Sequence, residues 1–300
     1  MTLQTNTILL QQKMALIRCR LLTNNQIVIR LAVYAEKPAI FFQSVPDDKS
    51  KAWSSVAQYP RIVLSMEMFA NAERNAMGAL TVDVICTEAG VLPEEIEPFV
   101  KEALDGVIFT PRGADSFSPK WKNTQIFREK SVVDKSFNIG MTLNFDIYEF
   151  PLLETGDPDP IAAINRFAEE WDKELMVVGE TDLPEIYEPT RKNPVAYFRR
   201  LNETVDLQTN TVVWINSDLA VHLFAPTLRD RAEWLEQFAQ SLALDGEVTM
   251  LDGSPMFVKS IKGNAKSDEV TGQLTVSVRY GLLRKPEYAH TMTKANWNGG

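Results

Sequence analysis

PEEIEPFVKEALDG, residues 93–106, places Ile96, Phe99, Val100, Ala103 and Leu104 on one side of a helix and Glu94, Glu95, Glu97, Lys101 and Glu102 elsewhere. Asp105-Gly106 then reads as a helix stop. AEWLEQFAQSLALDG, residues 232–246, has the same grammar: Trp234, Leu235, Phe238 and Leu242 form the apolar face, and the helix closes on the same Leu-Asp-Gly. Two helices with one ending, about 140 residues apart, make an internal repeat the first hypothesis for the fold.

Outward from each helix the neighbouring elements also recur. Before the first lies LTVDVI (80–85), and before the second LAVHLF (219–224), both alternating like strands. After the first come a short strand at 107–110, a polar arm at 112–135 and the alternating strand MTLNFDIYEF (141–150). After the second come 248–251, an arm at 252–272 and a strand with Leu274, Val276, Val278 and Tyr280 in alternation. Upstream, ILLQQKMALIRCRLL (8–22) spaces Ile8, Leu9, Leu16 and Cys19 as a helix does. IAAINRFAEEWDKEL (161–175) is an amphipathic helix, started by Asp159 before Pro160. Residues 26–33 and 39–42 suit extended segments, 46–53 a charged loop, and Tyr59-Pro60 leads into a strand, with Asn193-Pro194-Val195 as its nearest counterpart.

The acid-rich ETGDPDP (154–160) is the clearest boundary. The expectation is α+β: two similar tandem domains, 1–153 and 161–300 with a linker at 154–160, each a mostly antiparallel sheet with helices on one face and a projecting β-hairpin arm.

Composition excludes several classes. Forty Asp and Glu against 31 Lys and Arg give a net charge of -9, unsuited to general nucleic-acid or anionic-membrane binding. No apolar run approaches the roughly 18 residues of a membrane helix. Cys19 and Cys86, without paired spacing, supply neither a disulfide framework nor a cysteine-rich metal site, and suit a reducing compartment. Phosphate-cradling and nucleophile-elbow motifs do not occur. His222 reads as a strand residue on the less buried face, and His290 as a solvated tail residue. No catalytic, metal or cofactor residues are assigned.

The polar arms are the candidate interfaces. Arg112, Lys120, Lys122 and Arg128 surround Phe117, Trp121 and Phe127 in the first arm, and Lys259, Lys262 and Lys266 lie near Met256 and Phe257 in the second. Basic residues among aromatics suit docking onto an acidic neighbour. Residues 116–128 are read as projecting hairpin and not core, with Trp121 as the anchor.

In its order of elements each half resembles the tail terminator, or tail-completion, proteins of long-tailed bacteriophages. The resemblance rests on the N-terminal amphipathic helix, the loop into Gln58-Tyr59-Pro60-Arg61-Ile62-Val63, the 80–85 strand, the 93–104 helix, the hairpin arm and the closing strand. It implies a non-enzymatic structural virion protein, assembled in the bacterial host cytoplasm into a ring. That ring caps the tail tube and meets the head-proximal connector or neck protein, with DNA only as passing cargo and no membrane partner. Two copies where the family has one leave the ring open between six chains and three. Two alternatives stand beside it: another tail or baseplate adaptor, and a soluble two-domain enzyme with a site between the halves using His222 and Asp83.

Overall fold

The structure, a computed structural model, describes residues 3–54, 58–69, 77–130, 137–152, 158–263 and 272–284. The first half runs α1 (Leu3–Thr23), α2 (Asn25–Val28), β1 (Val33–Tyr34), β2 (Lys37–Pro38), β3 (Ile40–Phe42), β4 (Arg61–Met68), β5 (Gly78–Thr87), α3 (Glu97–Leu104), β6 (Ile108–Phe109), β7 (Ser116–Lys130) and β8 (Phe137–Phe150). The second half runs α4 (Pro160–Trp171), β9 (Met176–Val177), β10 (Ile186–Tyr187), β11 (Val195–Gln208), β12 (Val212–Phe224), α5 (Leu228–Asp245), β13 (Glu247–Thr249), β14 (Pro255–Gly263) and β15 (Leu274–Leu283).

β1 and β2 pair as a two-stranded ribbon, and two larger sheets carry the other strands, in the orders β10-β6-β7-β8-β5-β4-β3 and β13-β14-β15-β12-β11-β9. With β10 set aside, the two orders are the same strand for strand. In each the outermost pair is parallel, β3 with β4 and β9 with β11, while the remaining pairs are antiparallel. The chain is therefore α+β with mostly antiparallel sheets. Pro60 and Pro194 hold matching places at the entries to β4 and β11: each carbonyl accepts a backbone N–H, from Ala32 at 2.8 Å and from Met176 at 3.0 Å.

Alternation decides which faces are buried. Leu80, Val82 and Val84 of β5 face a core with Met14, Ile17 and Leu21 of α1 and Val100, Ala103 and Leu104 of α3. Leu219, Val221 and Leu223 of β12 face Ile161, Ile164 and Ala168 of α4 and Phe238 and Leu242 of α5. The helices of each half thus cover one face of its sheet. Gly106 and Gly246, at the two helix stops, have φ of 77° and 70°, and a Cβ on either would meet no atom within 4 Å. The left-handed backbone alone, and not crowding, calls for glycine there.

Several expectations need correction. Residues 26–28 of the stretch expected to be extended belong to the helix α2, because the Asn24 carboxamide oxygen accepts from the Gln26 and Ile27 N–H groups at 3.0 and 3.4 Å. In α1 the buried side is Lys13, Met14, Ile17 and Leu21, while Ile8 and Cys19 are exposed. Asp159 caps α4 as expected, accepting from Ile161 and Ala162, but the helix ends at Trp171, so that Leu175 joins the core from the following turn. Residues 116–119 are not projecting hairpin: Phe117 is fully buried, stacked on Phe109 with centroids 5.1 Å apart. Part of the 154–160 linker, together with Lys266 and His290, lies outside the described residues.

The halves share a third core. Ile108 and Phe150 from the first half meet Val178, Leu183, Val195, Tyr197 and Phe224 from the second. Phe150 lies 5.2 Å from the Tyr197 ring and 5.0 Å from the Phe224 ring. His222, expected on the less buried face, is 2% exposed, with its ring 5.5 Å from that of Tyr197 on the neighbouring strand.

Candidate functional site

β7 and β8 pair along the whole of β7, from Ser116↔Phe150 to Lys130↔Phe137. Only the first part of β7 has a strand on its other side, through Phe109↔Phe117. Beyond that point Trp121 N–H finds the Asp105 carboxylate at 2.8 Å, and the rest of the strand is a sheet edge.

The arm's cations are matched to acids of the same chain: Lys120 to Asp105 at 3.2 Å, Lys122 to Asp146 at 3.1 Å, and Arg128 to Glu88. Its aromatics are partly folded back. The Phe127 ring lies over Gly140, where a Cβ would collide with three of its carbons. The Trp121 indole N–H donates to Thr124 at 3.2 Å, Lys101 places its ammonium 3.8 Å from the ring centroid, and 37% of the residue stays exposed. Ile126 is 74% exposed beside them. Burial disfavours the Glu97 carboxylate, but hydrogen bonds from Lys101 and Thr124 and the charge of Lys101 outweigh it and hold the group below its ordinary range. Among its described residues the arm therefore offers an apolar edge with neutralised flanks and not a free basic patch.

Arg112 takes part in an interface of another kind, pairing at 3.0 Å with Glu185 from the second half. Phe117, being core, is removed from the candidate surface. Lys259 and Lys262 are exposed on β14, apart from the first arm's aromatics in sequence and in sheet. Asp83 and His222 occupy matching outward positions on β5 and β12, and each is engaged within its own sheet. Asp83 accepts from Thr142 at 2.5 Å, and His222 Nε2 accepts from Arg199 at 3.2 Å. Neither lines the two clefts between the halves. One of about 330 Å³ is bordered by Asp105, Lys120, Tyr148, Arg191 and Arg231, and one of about 380 Å³ by Asp115, Leu152, Gly179 and Leu183. Among the described residues no three His, Cys, Asp or Glu side chains gather as a metal site, and no helix is long and apolar enough to cross a membrane. Burial, with Glu94 and Glu95 nearby, pushes the Cys86 thiol up to about 12, which makes it an inert core residue.

Two surfaces had no place in the sequence reading. The first is the β11–β12 hairpin, whose outer part exposes Leu201, Val205 and Leu207. The alternation of Val205, Asp206 and Leu207 is its signal, masked by register shifts on either side of Leu201 and Asp206. The second is the joint between halves. β10 adds antiparallel to β6 with Ile186↔Phe109 and Tyr187↔Ile108, and Thr110 N–H donates to the Glu185 carbonyl at 2.9 Å. Arg20 of α1 pairs with Glu188, and the Tyr197 hydroxyl donates to the Pro151 carbonyl at 2.8 Å.

Compared with protein-family models the chain finds no match, and compared with curated proteins it finds none either.

Proposed function

We propose that the protein is a structural component of a tailed-bacteriophage virion, a tail terminator-like ring subunit that caps the tail tube and joins it to the head-proximal connector. The observation that carries this reading is the joint just described: two halves of one topology, packed so that a strand from one extends the sheet of the other. A building unit that already repeats within a chain through sheet edges is suited to repeat between chains. The tandem arrangement is read as a duplication, with three chains giving six domains or six giving twelve. The acidic net charge of -9 suits a channel through which DNA passes without sticking. In this reading the protein has no catalytic role, and its partners are itself, the tube protein and the connector.

The test is to incubate the purified chain with isolated tail tubes and image gold-labelled protein. Label confined to the head-proximal tube end is expected; label along the tube, or none, contradicts the reading. A second reading, a tail or baseplate adaptor, draws on the exposed Leu201, Val205 and Leu207 of the β11–β12 hairpin. Label at the opposite tip would favour it.

A further inference from the structure

β11 has a strand on its outer side only at Val195 and Ala196, which pair with Met176 and Val177 of β9. From Tyr197 to Gln208 its one strand partner among the described residues is β12, and 201–208 are exposed throughout. The hairpin is held from its inner side. β12 pairs with β15 out to Val212↔Leu283, and at the tip the Thr209 N–H donates to the Val212 carbonyl at 2.8 Å while the Thr209 hydroxyl accepts from the Val212 N–H at 2.9 Å. The open edge is therefore a preformed strand, and a second strand can add to it at little cost in ordering.

Its side chains decide which strand fits. Val205 is 56% exposed and Leu207 50%, with Leu201 also exposed. In a chain of net charge -9, residues 199–208 hold two cations, Arg199 and Arg200, and two acids, Glu203 and Asp206, so this strip is neutral. Arg200 pairs with Glu203, and Asp206 with Arg279 of the same chain at 2.8 Å. A neutral apolar edge gives a strongly basic or acidic partner nothing to match, while two copies of it meet without the repulsion that their net charges impose elsewhere. The outermost strand at the other end of this sheet differs: β13 carries Glu247 between Asp245 and Asp252, acids that two copies would set against each other.

The residue order is also self-complementary. Counted residue by residue in an antiparallel pair centred on Thr204, Leu201 of each strand stands opposite Leu207 of the other, Glu203 opposite Val205, and Asn202 opposite Asp206, with no like charges opposed. An axis at Glu203 would set that carboxylate against itself, and an axis at Val205 would place both leucines opposite polar residues.

We propose that the outer edge of β11 pairs with the same edge of a second copy, antiparallel about a two-fold axis at Thr204, joining the second sheets of two chains into one. Such a contact is isologous and closes on itself at two chains. It stands apart from the ring reading, since a two-fold joins chains or rings in pairs and does not build the ring, and it assigns to a second copy the surface on which the adaptor reading draws. The register shifts on either side of 202–205 shorten the regular pairing, so the contact is weak and falls below the roughly 1,200 Å² of a stable interface.

The test is sedimentation equilibrium of the full-length chain up to high concentration, with Leu201→Arg, Leu207→Glu and an equal mixture of the two. Both side chains are exposed, and thermal melts check that the variants are folded. Wild type is expected to pair, and each folded variant to pair at least tenfold more weakly. The mixture is expected to recover pairing, because a heterodimer keeps one Leu201–Leu207 contact and sets the new cation opposite the new acid at the other. As a second readout, Thr204→Cys combined with Cys19→Ser should form a disulfide between chains on oxidation, faster than Gln208→Cys in the same background, whose position faces Arg200 and not itself. A wild type that stays unpaired at the highest concentration overturns the proposal and leaves the strip to a different protein. Folded variants that pair like wild type, a folded mixture without recovery, or no preference for cross-linking at position 204 overturn it as well. Rings that persist in variants that have lost pairing uphold it and separate it from ring assembly.

Discussion

The Glu185 carbonyl accepts the Thr110 N–H at 2.9 Å, and with that bond a segment of the second half becomes the edge strand of the first half's sheet. The halves are therefore coupled by a ladder as well as by side chains.

Phe150 is the centre of that coupling, 2% exposed between Tyr197 and Phe224. Phe150→Ala should cost about 3–5 kcal/mol. The loss should fall on the joint and not on either separate core, so calorimetry should resolve two transitions in the variant where wild type shows one. A single transition lowered as a whole would place Phe150 within one core.

The two helix stops should respond alike. Gly106→Ala and Gly246→Ala each force an alanine into the left-handed region, where it costs about 1–2 kcal/mol, and neither introduces a clash. Urea midpoints should fall by similar amounts in both, although Gly246 closes α5 on the Leu242 carbonyl while Gly106 donates to Pro119 after the extended Asp105 has ended α3; a tolerated alanine at either would contradict the cost assigned to its left-handed backbone.

Lys13 is 5% exposed on α1, ion-paired with Glu149 and 5.3 Å from the Phe117 ring centroid. Burial outweighs the attraction of Asp115 and lowers its pKa from 10.5 to about 8. Between those values the unfolded chain binds the proton that the folded chain has released, so this group's contribution becomes more favourable as pH rises from about 8 to 10.5. The gain is on the order of 3 kcal/mol. Lys13→Met should remove that slope from the difference between variant and wild-type stability measured by denaturant unfolding at each pH. Parallel profiles would contradict it.

Lys101 serves two neighbours, Glu97 at 2.7 Å and the Trp121 ring at 3.8 Å. Lys101→Met should raise the Glu97 pKa toward its ordinary range, read by carboxyl NMR titration, and cost about 0.5–1 kcal/mol for the exposed cation–ring contact. In wild type the lowered pKa favours the fold above the ordinary carboxylate range, and that contribution fades as pH falls through the folded value. An unmoved Glu97 titration would assign the shift to Thr124 alone.

What could be read from the sequence was what repeats at short range. The 80–85, 141–150 and 274–280 strands declare themselves by period-two alternation, and the Leu-Asp-Gly stops by a residue type that a left-handed turn requires. The Asn24 cap that turns 25–28 into a helix spans too few residues for periodicity to register. Phe117 looked like an arm residue because its stacking partner Phe109 belongs to a separate short strand, and the arm's cations looked free because Asp105, Asp146 and Glu88 lie on other elements. Leu183 owes its burial to the core shared between the halves and His222 packs on Tyr197 of the neighbouring strand, neither of which a local pattern carries. The expected arm interface accordingly shrinks to Trp121, Phe127 and their paired cations. The open edge of β11 emerges from the sheet order and the pairing registers.

The central claim is that this chain builds a ring, and negative-stain microscopy of the purified protein at several concentrations tests it most directly. Closed rings with a central hole, their symmetry a multiple of three two-domain chains, are the predicted result; uniform particles the size of one chain at every concentration would contradict it.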